Sequence, residues 1–539
     1  MTQRLFKTGQ PRHQGVLLPP SLEDYVGTDH PVRAIEAYVN SLDLAKLGFR
    51  HAVRAGGAGQ PPYAPADLLK LYLYGYLNQV RSSRRLEREA GRNVELMWLL
   101  KGLVPGYRTI GNFRRDNVGA LQRANRDFVL VMRALDLLGG ERVAIDGAFF
   151  HGDAGKASIV TRKRLAEQVA ALEREVETYS QMLDANDAAE AAEASPPSRT
   201  GEDVAAKLAQ LLARRDAAQG DLARLAANGQ TQLSRTDPDA RLLAKTGQTV
   251  AGYNVQIAVD DKHKLIVASE VVNDGNDTGQ LHAMAQAACA ALEVTTLQVV
   301  ADTGYFNGET LKACEDSGIE AFVPEPRRGH QPQTDDRFGL DRFAYDAEAD
   351  AYHCPAGESL RPMPGRKLDT TGKSRIRYVS RRAACARCPL RPQCLAPCAD
   401  RRVIERWEYQ AVIERHRARM AHAAPMMRCR KALVEHPFGT LKCRAGYRHF
   451  LLRGFAKVRG ECSLMVLCYN FTRVLNIIGL DRFIAWLAIA TLCRVNLLLT
   501  RAAAAFKHLR ISLIFVTQTI RTDRATWLVA NRHACAQAM

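Results

Sequence analysis

No uninterrupted apolar stretch in this chain of 539 residues is long enough to cross a bilayer, and the opening MTQRLFKTGQPRHQG lacks the apolar core of a signal peptide. These absences point to a cytoplasmic protein with no membrane partner. In that compartment the thirteen cysteines stay mostly reduced, so a cluster of them is a candidate for metal rather than for disulfides. Acids are the minority charge: 57 against 75 lysines and arginines, giving +18 and a pI near 9.4. That balance favours a polyanionic partner and, on charge alone, leaves DNA, RNA and anionic lipid open. With 47% hydrophobic residues the chain is not disordered, and its length predicts roughly two to four folded units.

From about Pro31 to Leu138 the pattern is helical. Leu68, Leu69, Tyr72 and Tyr76 fall at helix spacing, Ser82 or Ser83 is placed to cap a following helix, and Thr109 another. An all-α module over residues 1–138 is expected. Within it, RSSRRLEREAGRN and TIGNFRRDN set Arg84, Arg85, Arg88, Arg114 and Arg115 beside apolar positions, as a helix docked on DNA requires. A solvated face balanced by Glu87, Glu89 and Asp116 reads equally well from this segment alone.

After Gly139 the period changes, and the order becomes β-β-β-α-β-α-β, an α/β fold with helices packed on a mixed sheet. Asp146 in VAIDGAFF ends the first strand run and Asp302 in VVADTGYF the fourth, while Glu435 in KALVEHPFGTLK lies in a helical pattern. Like charges about 4 Å apart repel by roughly 1 kcal/mol in water and about 4 kcal/mol at a surface-like dielectric, so three gathered carboxylates need a cation. A divalent metal is the usual answer. Alone, an Asp at a strand end before Gly is more often turn chemistry. Seven-residue spacing puts Arg428, Glu435 and Lys442 on one helix face, with Lys431 a turn before the glutamate; an ordinary i, i+4 pair between Lys431 and Glu435 is the bland alternative.

Two insertions interrupt this core. Over 155–245, Leu165, Val169, Leu172, Val176, Tyr179 and Leu183 recur at heptad positions, as do Val204, Leu208, Leu211, Ala218, Leu222 and Leu225, which predicts an antiparallel helical hairpin. Over 328–405 lie Cys354, Cys385, Cys388, Cys394 and Cys398. The first four are the preferred set for a structural zinc ion, with Cys398 as substitute; such a site would fold a loop-rich module lacking a core of its own. Free, partly buried thiols are the other reading. The later run CSLMVLCYNFTRVLNIIGL is apolar around most of its circumference and must be buried.

At these residues the chain resembles bacterial insertion-sequence transposases of the DDE class. The similarity rests on YAPADLLKLYLYGYLNQVRSSRRLEREAGRNVELMWLL and TIGNFRRDN, then on VAIDG, GYNVQIAVD, NDTGQL, VVADTGYF and VEHPFGTLK, in that order, from about Phe6 to Leu480. The resemblance implies a helical DNA-binding domain over 1–138 and a ribonuclease-H-like catalytic domain over 139–480. It assigns Asp146, Asp302 and Glu435 to a triad holding two Mg²⁺ ions, a role Mn²⁺ also fills, and places Lys442, with Lys431, against a phosphate. The implied partner is double-stranded DNA, both inverted repeats and target, engaged by a homodimer in the nucleoid. Upstream of the glutamate the family pattern has a tyrosine and an arginine, where this chain has Arg428 and Lys431; the aromatic contact is gone. The apolar tail over 481–539 continues past the family pattern and is unassigned. A catalytically inactive end-binding protein, and a nuclease without strand transfer, are the alternative functions.

Overall fold

The computed structural model describes residues 21–53, 61–193, 199–245, 247–326, 337–368 and 374–492. The described residues form two compact units, those within 1–120 together with 471–492, and those within 121–470.

In the first unit, α1 (Val32–Ser41), α2 (Pro65–Leu77), α3 (Ser83–Ala90), α4 (Val94–Leu99) and α5 (Tyr107–Asp116) surround α2, whose Leu69, Leu71, Tyr72 and Tyr76 are wholly buried. Proline at the first position of α2 starts the helix without wasting a backbone donor. Tyr72 stacks on Phe113 at 5.9 Å between centroids and donates to the Ile110 carbonyl at 2.7 Å, which locks α5 onto α2. Ser82 stands at the N-cap of α3, whereas α5 begins at Tyr107, so Thr109 lies inside its first turn rather than capping it.

Part of the unassigned tail also belongs to this unit. A helix over Leu480–Leu492 buries Phe483 and Leu487, Phe483 meets Phe471 edge-on at 5.6 Å, and Phe471 packs on Tyr38 at 5.8 Å. VNLLLT and LIFVTQ lie outside the described residues. Among the described residues, no single helix is long and apolar enough to cross a membrane.

The second unit takes in most of α6 (Val118–Ala134), then β1 (Arg142–His151), β2 (Ile159–Thr161), the long helices α7 (Arg162–Glu193) and α8 (Arg199–Ala227), β3 (Gln232–Ser234), β4 (Arg241–Lys245), β5 (Gln248–Asp260) and β6 (Ile266–Val272). α9 (Leu281–Leu292), β7 (Leu297–Val300), α10 (Gly308–Asp316) and β8 (Ile319–Phe322) follow. The sheet runs β4-β5-β1-β7-β8, with β6 also on β5. β1 is antiparallel to β5 and parallel to β7, which is parallel to β8. β4, inside the stretch assigned to the hairpin, is a strand beyond the expected order. α7 packs on α8, β2 pairs with β3, and Leu165, Ala218 and Leu225 share one core.

The cysteine-bearing segment has a core of its own, contrary to the expectation of a loop-rich module. β9 (Ala344–Asp346), β10 (Ala351–His353), β11 (Ser359–Leu368), β12 (Ser374–Val379), α11 (Arg382–Ala386), α12 (Arg391–Cys394) and β13 (Val403–Trp407) build a sheet in the order β13-β12-β11-β10-β9 over Phe343, Tyr352, Leu360, Tyr378 and Ile404. Aromatics supply what so short a segment otherwise lacks: Tyr352 meets Tyr345 at 5.0 Å and Tyr378 at 5.2 Å. The chain continues through α13 (Gln410–Met420) and α14 (Ala424–Gly439) to α15 (Phe455–Ile478), the expected buried apolar helix.

Candidate active site

β1 and β7 bring two of the three acids to neighbouring strands. Their parallel pairing ends at Ala144 opposite Val300, so Asp146 and Asp302 each stand two residues beyond the last matched pair. Asp146 is not at a strand end, as the sequence suggests; β1 runs on for five more residues, held by β5 and by buried Phe150, which packs on Phe438 and Phe450. Asp302 does follow its strand directly. It caps a short turn over Thr303–Tyr305, its Oδ1 accepting from the Gly304 N–H at 2.9 Å. Tyr305, fully buried in that turn, keeps its phenol proton well above the ordinary range, through burial first and then the negative charges of Asp277, Asp146 and Asp302.

Glu435 lies on α14, which packs across β1, β5 and β7 through Leu433, Val434, Pro437 and Phe438; its side chain is 65% exposed, 3.7 Å from Lys431. On the sheet side, Arg430 stands 3.8 Å from Asp146 Oδ2, both side chains 20% exposed. Sequence reasoning missed Arg430, although it lies one and two turns before Val434 and Phe438 on the apolar face. Lys442 also leaves the face predicted for it. Pro437 sits inside the helix, and Thr440–Arg444 forms a π turn closed by the Ala445 N–H on the Thr440 carbonyl at 2.8 Å. The extra residue per turn swings Lys442 over the Phe150 ring at 4.7 Å. Among the described residues, no three His, Cys, Asp or Glu side chains stand arranged to hold a metal ion. The two aspartates have the hard oxygen donors a divalent cation takes; the full triad does not fit one as placed.

Cys354, Cys385, Cys388 and Cys394 line one open cavity of ≈ 180 Å³, and Cys398 is exposed outside it. Burial raises the Cys394 thiol above its ordinary range; Arg402 opposes that, and the neighbouring sulfurs of Cys385, Cys354 and Cys388 add to it. The chosen four are gathered, without closing into a metal centre.

On the helical unit, Arg84, Arg85 and Arg88 are exposed along α3, and Arg84 lies over the Tyr107 ring at 5.3 Å. Arg108, unremarked in the sequence, reaches the same ring at 5.8 Å. Arg114 is a correction: only 7% exposed, it donates to the Tyr76 hydroxyl at 3.2 Å and stacks on Tyr72, so it cannot reach a ligand. Arg115 is half exposed, but Asp116 at 2.7 Å answers its charge.

Two family models match: the transposase domain (DUF772) over residues 20–116 and the transposase DDE domain over residues 353–475. Over these two stretches the chain is similar to the DDE transposases of insertion sequences. The DDE match includes the four cysteines and Glu435 and leaves Asp146 and Asp302 outside it. No curated protein and no solved structure matches the chain.

Proposed function

We propose that the protein binds the terminal inverted repeats of its own element and catalyses divalent-metal-dependent cleavage and strand transfer of DNA. The observation that supports this reading is the parallel β1–β7 register, whose last matched pair, Ala144 and Val300, lies two residues before Asp146 and two before Asp302. The strand order supports a ribonuclease-H-like core. Asp146, Asp302 and Glu435 would hold the metal, Mg²⁺ or Mn²⁺, with Arg430 withdrawn from Asp146. A divalent metal held there would supply Lewis-acid chemistry, the activation of a water or 3′-hydroxyl and the stabilisation of a leaving oxygen. Lys431 and Lys442 then offset phosphate charge, and Arg84, Arg85 and Arg88 grip the duplex. A homodimer would bring two ends together. Cys354, Cys385, Cys388 and Cys394 would hold one structural Zn²⁺ as thiolates.

Incubating the protein with linear DNA bearing the inverted repeats in Mg²⁺ tests this. Cleavage with joining is expected, and Asp146→Asn is expected to abolish both while leaving end binding near normal. The Lys431–Glu435 and Arg430–Asp146 pairs, each a carboxylate already answered by a cation, favour a second reading, an end-binding protein that does not cut; binding without cleavage would select it.

A further inference from the structure

Two motifs behind the family resemblance, GYNVQIAVD and NDTGQL, have no part in the chemistry above, and their polar residues meet. We propose that Asp277 is a positioning residue that sets the separation of the Asp146 and Asp302 carboxylates through a buried network of side-chain hydrogen bonds. The proposal rests on the reading of those two aspartates as a metal-binding pair.

Asp277, 5% exposed, lies just before α9. Its Oδ1 accepts from Asn254 Nδ2 at 2.8 Å and from Gln256 Nε2 at 2.7 Å, both amides fully buried on β5. Gln256 Oε1 in turn accepts from the Tyr305 hydroxyl, within the turn that opens at Asp302. One end of the network thus holds the Asp302 turn.

The other end presses on β1. Gln256 is registered opposite Gly147, the residue after Asp146. A Cβ on Gly147 would stand 2.3 Å from Gln256 Nε2, 2.7 Å from Asp277 Oδ1 and 3.0 Å from Asn254 Oδ1. Only glycine lets these three groups close on the strand. Alternation along β1 points Asp146 to the opposite face, toward Arg430, so the network backs the carboxylate without competing for its ligands. On the Asp302 side, a Cβ on Gly304 would lie 3.0 Å from Asp302 Oδ1 and 3.7 Å from Asp277 Oδ2.

Stability alone does not account for this arrangement. Valine or isoleucine at positions 254 and 256 would fill a strand interior with no polar group to satisfy, yet the chain keeps two amides and a carboxylate there and leaves Asn254 Oδ1 buried with no hydrogen-bond partner. A polar network that fixes two backbones a set distance apart gives such residues a purpose.

The test is Mn²⁺ affinity of the full-length protein without DNA, measured by calorimetry, alongside its thermal midpoint and its metal-free binding to inverted-repeat DNA. Tyr305→Phe removes one hydroxyl and keeps the buried ring; it should weaken Mn²⁺ binding about tenfold, the usual cost of losing an outer-shell partner, with midpoint and DNA binding unchanged. Asp277→Ala should weaken it at least as much, and Asp277→Asn, which still offers an oxygen to both amides, should recover most of that loss. Wild-type Mn²⁺ affinity in Tyr305→Phe overturns the proposal, even where Asp277→Ala fails to fold. An Asp277→Asn protein as weak as Asp277→Ala overturns positioning through hydrogen bonds. Should Asp146→Asn leave Mn²⁺ binding untouched, the metal-pair reading itself fails, and the proposal with it.

Discussion

Arg430 sits where a cation is needed. Beside a strand-borne carboxylate it supplies the positive charge that otherwise falls to a metal, so on the proposed site the two compete. The pair is partly exposed and worth about 1 kcal/mol after screening, so Arg430→Ala should tighten Mn²⁺ binding roughly fivefold in calorimetry. Unchanged affinity would show that the guanidinium does not obstruct the site. Arg114 and Arg88 contrast a buried arginine with an exposed one. Arg114→Ala loses a buried hydrogen bond and its stack on Tyr72, and should cost about 2 kcal/mol in denaturant unfolding while the folded fraction binds DNA normally. Arg88→Ala should do the reverse.

At the scale of elements, pH and thiol chemistry give separate handles. His416 on α13 hydrogen-bonds through Nε2 to the Val323 carbonyl at 2.8 Å, and its Nδ1 faces the Arg419 guanidinium at 3.3 Å. Burial, the larger cause, and Arg419 both hold this imidazole below its ordinary range. The unfolded chain therefore takes up the proton first: the stability is full above about pH 6.5 and is lost as pH falls from there toward the folded value. Thermal midpoints should drop between pH 7.5 and 5.5, and less so in His416→Gln. Replacing Cys385 and Cys388 with serine should release one zinc per chain and loosen the module; metal analysis finding no zinc in the wild type would end that idea. The elements also show how far the sequence could be read. The β-branched run before Asp146 and the heptads of α7 and α8 were legible because periodicity states them. The face of Lys442 was misjudged because seven-residue arithmetic assumes an unbroken helix, and Pro437 with its π turn breaks it. The aromatic core under the cysteines was invisible because its strands are too short to show a period, and Phe343, Tyr352 and Tyr378 meet only through the fold. Asp277 lay in a quoted motif, but its partners are on β5 and in the Asp302 turn, contacts that no local spacing encodes.

For the whole molecule, a charge of +18 spread over arginine-bearing surfaces predicts that end-DNA binding weakens steeply with salt, by about a thousandfold or more between 50 and 200 mM if on the order of six phosphates are contacted. A shallow salt slope would argue for a partner other than a nucleic-acid backbone. All of the proposed chemistry turns on Asp146 and Asp302 sharing a divalent ion. Anomalous X-ray scattering from crystals of the protein soaked in Mn²⁺ tests that most directly: the account predicts a peak between the two carboxylates, lost in Asp146→Asn, and Mn²⁺ bound only elsewhere, or not at all, would contradict it.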